Sequence, residues 1–168
     1  MKVTGNQLRA KLQALALVIA LAEDQFEGQL KAFPGEDKNP LVVDRRIKDL
    51  EDQMARIQVA QMRYNLRVTI SAYGQTMTLA DGVKRIGGAS RSAKRWRSVL
   101  PKKDRYRSFQ LETRQAGDQA EQWVLAPDTI IELATLAATY AAELQAAIAA
   151  GNATEIDLDG LNEADLQL

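Results

Sequence analysis

The sequence contains no cysteine and no histidine. The first absence excludes disulfides, thiolate metal sites, iron–sulfur clusters and cysteine nucleophiles. The second removes the commonest general base and the commonest transition-metal ligand. Aromatic residues are scarce, at 5%, although 46% of the chain is apolar. Alanine and leucine supply the difference, which favours helices packed through small and aliphatic side chains over a sheet-based core. A length of 168 residues suits one domain with a real core.

There is also no net charge, with 22 basic and 22 acidic side chains. The balance conceals an asymmetry along the chain. Residues 1–83 carry a net charge of +1, residues 84–107 +9 and residues 108–168 −10. The chain is built as a charge dipole along its sequence.

The pattern that organises the chain lies between Val43 and Val68. Val43, Ile47, Leu50, Met54, Ile57, Gln61, Tyr64 and Val68 alternate four and three residues apart. That is the seam of one helix packing along another. Its partner stands upstream, where Leu8, Leu12, Leu15, Ile19, Ala22, Phe26, Gln29 and Phe33 keep the same spacing. Lys2, Arg9 and Lys11 ahead of the apolar run Leu12–Ala22 imitate a signal peptide. A heptad that continues past the would-be cleavage site favours a structural helix, and secretion is not expected. The run is too short to span a membrane, which needs roughly 20 apolar residues.

Residues 34–40, Pro-Gly-Glu-Asp-Lys-Asn-Pro, form a connector short enough to force an antiparallel hairpin, with arms on the order of 40 Å long. Gln61 on the seam either fixes register or marks an open end of the hairpin. The second helix is expected to reach Ala72 and stop near Gly74. Thr78-Leu79-Ala80-Asp81 starts a third helix, with Leu79, Val83 and Ile86 on one face, and the helix resumes after an interruption with Ala93, Trp96 and Leu100 on a face. Gly87-Gly88 between them, costing roughly 2 kcal/mol against alanine, marks a kink or a close backbone approach.

The period changes at Tyr106–Leu125, where Phe109, Leu111 and Thr113 alternate with polar residues around a turn at 115–119. This reads as a small β-hairpin. Pro127-Asp128-Thr129 opens a last helix, with Thr129 and Glu132 as a capping box and Gly151-Asn152 as its C-cap. Ile130, Leu133, Ala137, Tyr140, Leu144 and Ala147 form its seam, and nine of residues 129–150 are alanine. The expected architecture is mainly α: a long antiparallel helical hairpin plus further helices, with a small β-hairpin near 106–125. Residues 1–151 form a single helical domain with that insert, and residues 152–168 an acidic C-terminal tail with enough apolar character to dock.

No stretch carries a catalytic motif. Residues 82–88 have the glycine spacing of a phosphate-binding loop, but Gly88 stands where its lysine belongs and no strand precedes it. Asp157-Leu158-Asp159-Gly160 hints at a calcium loop, with its glycine too early. Asn152-Ala153-Thr154 matches a glycosylation acceptor, a motif common by chance. Carboxylate pairs such as Glu51-Asp52 fall on an outer helix face, where solvation is the default. No cofactor, no metal and no enzymatic activity are expected.

The sharpest feature is basic. Lys84, Arg85, Arg91, Lys94, Arg95, Arg97, Lys102, Lys103, Arg105 and Arg107 stand together, with Trp96 and Tyr106 interleaved. Cations beside aromatic faces suit phosphate contact and base stacking. The same residues suit an acidic protein surface better still, including the chain's own C-terminal segment, within a subunit or between neighbours, and an ordinary solvated face is the third reading.

The order of segments resembles a family of bacterial helical proteins, some of which carry the label "septicolysin". The resemblance rests on Asn65–Thr69, Met77-Thr78-Leu79, Arg105-Tyr106-Arg107-Ser108 and Asn152-Ala153-Thr154-Glu155. It implies two long opening helices, a basic helix and a closing helix, and offers no catalytic residues to carry over. The expected function is a non-enzymatic, self-associating structural or scaffold protein, a homo-oligomer within a larger assembly such as a phage particle, in the cytoplasm and not on a membrane. The alternative is a nucleic-acid-binding protein using residues 84–107.

Overall fold

The computed structural model describes residues 1–31, 36, 38–100 and 124–166. The chain is mainly α-helical. Its elements are β1 (Lys2–Val3), α1 (Gly5–Gln29), α2 (Pro40–Arg67), β2 (Thr69–Ala72), β3 (Gln75–Thr78), α3 (Leu79–Ser98), α4 (Pro127–Ala153), β4 (Ile156–Asp157) and α5 (Glu163–Leu166). They divide into two compact units. One comprises residues 1–70, 78–80 and 149–168, the other residues 71–77 and 81–148.

The first unit is built on the α1–α2 hairpin. Thr4 caps α1 reciprocally with Gln7: the Thr4 N–H donates to Gln7 Oε1 at 2.8 Å, and the Gln7 N–H to Thr4 Oγ1 at 3.2 Å. At the other end Lys38 reaches back and donates to the carbonyls of Lys31 (2.8 Å) and Gly28 (3.2 Å). That satisfies acceptors a helix C-terminus leaves open. Pro40 opens α2 at its first turn, where its missing N–H costs nothing. Every described seam residue of both helices is buried or half-buried, with Leu8, Leu15, Ile57 and Tyr64 fully enclosed. The hairpin is antiparallel: Gly5, which starts α1, lies against Tyr64, near the end of α2.

The expected C-terminal tail is folded onto this hairpin. β4 pairs antiparallel with β1, setting Val3 opposite Ile156. Leu158 is fully buried. Tyr64 ties the end of α4 down, with its hydroxyl 2.7 Å from Gly151 O and 2.6 Å from Thr154 O. Backbones approach closely here. A Cβ on Gly151 would stand 2.6 Å from Ile70 Cγ2, and one on Gly5 2.6 Å from Asn152 Oδ1. Only hydrogen fits at either position.

Several expectations change. α2 ends at Arg67, not Ala72, because Val68–Ala72 turns into a strand and forms a hairpin with Gln75–Thr78. The turn is Tyr73-Gly74, with φ of 50° and 71°. Two positive φ values are the mark of the two-residue turn whose twist matches a β-hairpin. Ser71 and Thr76 face each other across it, hydroxyl to hydroxyl at 3.2 Å. The hairpin expected at 106–125 lies outside the described residues except for Val124 and Leu125, which form a bend rather than a strand.

α3 runs unbroken through Gly87-Gly88. Leu79, Gly82, Ile86, Ala89, Ala93 and Trp96, continued by Leu100 just past its end, are buried or half-buried and form a single three–four seam, with Ala80 and Ser92 half-buried beside it. Val83 is exposed, and the double glycine lies off the seam. Gly88 faces open space, so close approach does not explain it. In α4 the helix already begins at Pro127, so Thr129 sits inside the first turn and is not the cap. Gly151 lies within the helix rather than beyond its end. It serves close packing there, and its φ is not positive. The α4 seam is as expected, with Ile130 and Leu144 buried and Leu133, Ala137, Tyr140 and Ala147 half-buried. In the second unit Tyr140 meets Tyr73 edge to face at 5.7 Å, and Glu143 accepts the Tyr73 N–H at 2.9 Å.

Candidate functional site

Helix α3 carries six of the ten cations of the basic stretch. At 100° per residue, Lys84, Arg91 and Arg95 fall within about 40° of one another, and Lys94 stands beside them. All four are exposed. The stripe from Lys84 to Arg95 spans about 16 Å, the reach of several successive phosphates along a nucleic-acid strand. Arg85 and Arg97 are exposed on other sides of the helix, and Arg85 makes a long hydrogen bond to Gln75 (3.4 Å). Within its own unit, none of the α3 cations forms an ion pair with a described residue.

Trp96 is half-buried and shares the seam face with Ala89 and Ala93. Its interleaving with arginines is a property of the sequence; on the helix it belongs mainly to the packing side, not to the cationic stripe. Lys102, Lys103, Arg105 and Arg107, with Tyr106, lie outside the described residues.

Three acidic residues of the terminal segment find partners within the first unit. Asp159 pairs with Arg67 at 3.6 Å, and Asp165 with Arg56 at 3.4 Å. Asp157 pairs with the Met1 ammonium, which holds its carboxyl below the usual carboxylate range, through their hydrogen bond first and their charges second. The two exposed pairs, Asp159–Arg67 and Asp157–Met1, contribute little individually.

One cluster was not anticipated. Lys11 is buried in α1 and Asp165 is buried in α5. Asp165 Oδ2 accepts the Asn162 N–H at 3.1 Å, and its carbonyl accepts from Gln53 Nε2 at 3.1 Å. Burial pushes the Lys11 ammonium below the ordinary lysine value, and the Asp165 charge opposes that shift. The cluster fastens α5 to the hairpin. A signal was present: Lys11 stands three residues after Leu8 and four before Leu15, so it shares their buried face. Among the described residues no three carboxylates converge as a metal site would require. α4 is the one described helix long and apolar enough to cross a bilayer, a test that apolar helices of soluble proteins also pass.

No family model, curated protein or solved structure matches the chain.

Proposed function

We propose that the chain is a non-enzymatic, self-associating structural protein, a scaffold component of a larger assembly such as a phage particle, working in the cytoplasm or within that assembly. One observation carries this reading. The hairpin buries one seam of each long helix and leaves large aliphatic side chains on the outside of both: Leu17 and Leu21 on α1, and Val59, Met62 and Leu66 on α2. Apolar stripes of this extent on a helix surface favour association. Sedimentation velocity over a concentration series tests the reading. It requires a discrete oligomer at micromolar protein; a monomer at every concentration defeats it.

The second reading is nucleic-acid binding through α3, favoured by the stripe of Lys84, Arg91 and Arg95. Its test is a mobility shift at physiological salt. A shift that weakens steeply with salt supports it, and no shift with micromolar protein removes it.

A further inference from the structure

Helix α1 has two faces of use. The inner seam is covered by α2. The outer face repeats the same spacing through Ala10, Ala14, Leu17, Leu21, Asp24 and Gly28. Leu17 and Leu21 are 64% and 60% exposed. Between Lys11 and Glu23 the helix carries no charge at all. Beyond that neutral stretch the signs differ: exposed Arg9 on one side, exposed Glu23, Asp24 and Glu27 on the other. Ala10 and Ala14 are small enough to let another helix approach closely.

We propose that this outer face is the interface with a second copy of the chain, two α1 helices packing antiparallel about a two-fold axis at Leu17. The inference rests on the self-association reading and gives it a surface. The register follows from the charges. Centring the pair on Leu17 sets Arg9 of one copy level with residue 25 of the other, between Glu23 and Glu27. Arg9 and Glu27 are 18 residues apart, five helical turns, so they stand on the same flank of the helix. In an antiparallel pair equal flanks meet, and each Arg9 therefore faces Glu23 and Glu27 of its neighbour, twice per dimer. The opposite flank presents Gln7, Val18 and Gln25, with no charge to repel. A parallel pair would bring opposite flanks together and set Arg9 and Glu27 against the uncharged flank of the neighbour, with no ion pair formed. An isologous contact of this type closes on itself.

The absence of cysteine gives a direct test. Leu17→Cys in the full-length chain should give a disulfide-linked dimer on mild oxidation at micromolar protein. Val59→Cys, on the outer face of α2, should cross-link at least tenfold less. In parallel, light scattering compares the wild type with Leu17→Glu, which places two carboxylates at the axis, and with Arg9→Glu and the double variant Arg9→Glu/Glu27→Arg. Leu17→Glu should at least halve the mass with unchanged helical circular dichroism. Arg9→Glu should weaken association at least tenfold, and the double variant should restore it. An oligomeric wild type whose mass ignores Leu17→Glu and Arg9→Glu overturns this interface while leaving self-association standing. A monomeric wild type overturns both.

Discussion

Replacing Tyr64 by phenylalanine removes one oxygen atom from the junction that holds the first unit together. The ring is fully buried, so the aromatic packing survives the change. What is lost is the donor that serves Gly151 O at 2.7 Å and Thr154 O at 2.6 Å. One proton serves two carbonyls, and they do not suffer equally. Gly151 O keeps the Thr154 N–H at 3.2 Å, whereas Thr154 O is left to whatever water reaches it. The cost is one net hydrogen bond plus part of the desolvation of a carbonyl, about 1.5–2.5 kcal/mol. For a chain of this size that lowers the melting temperature by roughly 3–10 °C. Urea unfolding followed by far-ultraviolet circular dichroism measures it, and the slope against urea should not change, because the surface exposed on unfolding is the same. A phenylalanine variant as stable as the wild type would refute the reasoning, since the hydroxyl would then contribute nothing. A changed slope would mean that the variant had altered a folded or unfolded state rather than one contact.

Gly88→Ala should raise stability by about 0.5–1 kcal/mol, because the residue is exposed inside a continuous helix with open space where the methyl would go; a loss, read by the same urea titration, would mean that something packs there. Gly151→Ala should do the opposite, by about 1–2 kcal/mol, since the new methyl meets Ile70 and Leu79 and the gain in helix propensity is smaller than the overpacking. Its melting temperature should fall, and Ile70→Ala in the same chain should cost less than it does alone. The Asp157 carboxyl titrates lower when folded than when unfolded. Its contribution is therefore complete above the unfolded carboxylate pKa, near 4, and disappears as the pH drops through the lower folded value. Asp157→Asn should flatten that acid limb of a melting-temperature profile.

The long hairpin was legible because its seams are periodic over seven turns and nothing else in the chain competes for them. Val68 shows where that logic fails. It completes the α2 seam, and periodicity carried the helix on through Ala72, yet the β-branched run Val68-Thr69-Ile70 and the turn Tyr73-Gly74 divert the backbone into a strand. The signal there was turn chemistry, which a heptad count does not see. Gly151 illustrates a different loss. A glycine followed by asparagine near a helix end reads as a cap, but Ile70, some 80 residues earlier, presses against it, and only tertiary structure brings the two together. Gly87-Gly88 was read as an interruption for the same reason, whereas the seam passes beside it. On α3 the cations were visible as a cluster and their partition was not. Three of them share a stripe with Lys94 beside it, two point elsewhere, and Trp96 turns to the packing side.

Light scattering on a sizing column, at low salt and at about 0.5 M salt, tests the central claim of self-association most directly. At the higher salt the screening length falls to a few ångströms and exposed charge pairs weaken. The account requires a discrete oligomer at low salt whose mass persists at high salt, held by the apolar face around Leu17 with Arg9 and its partners setting register. A monomer in both conditions would contradict it.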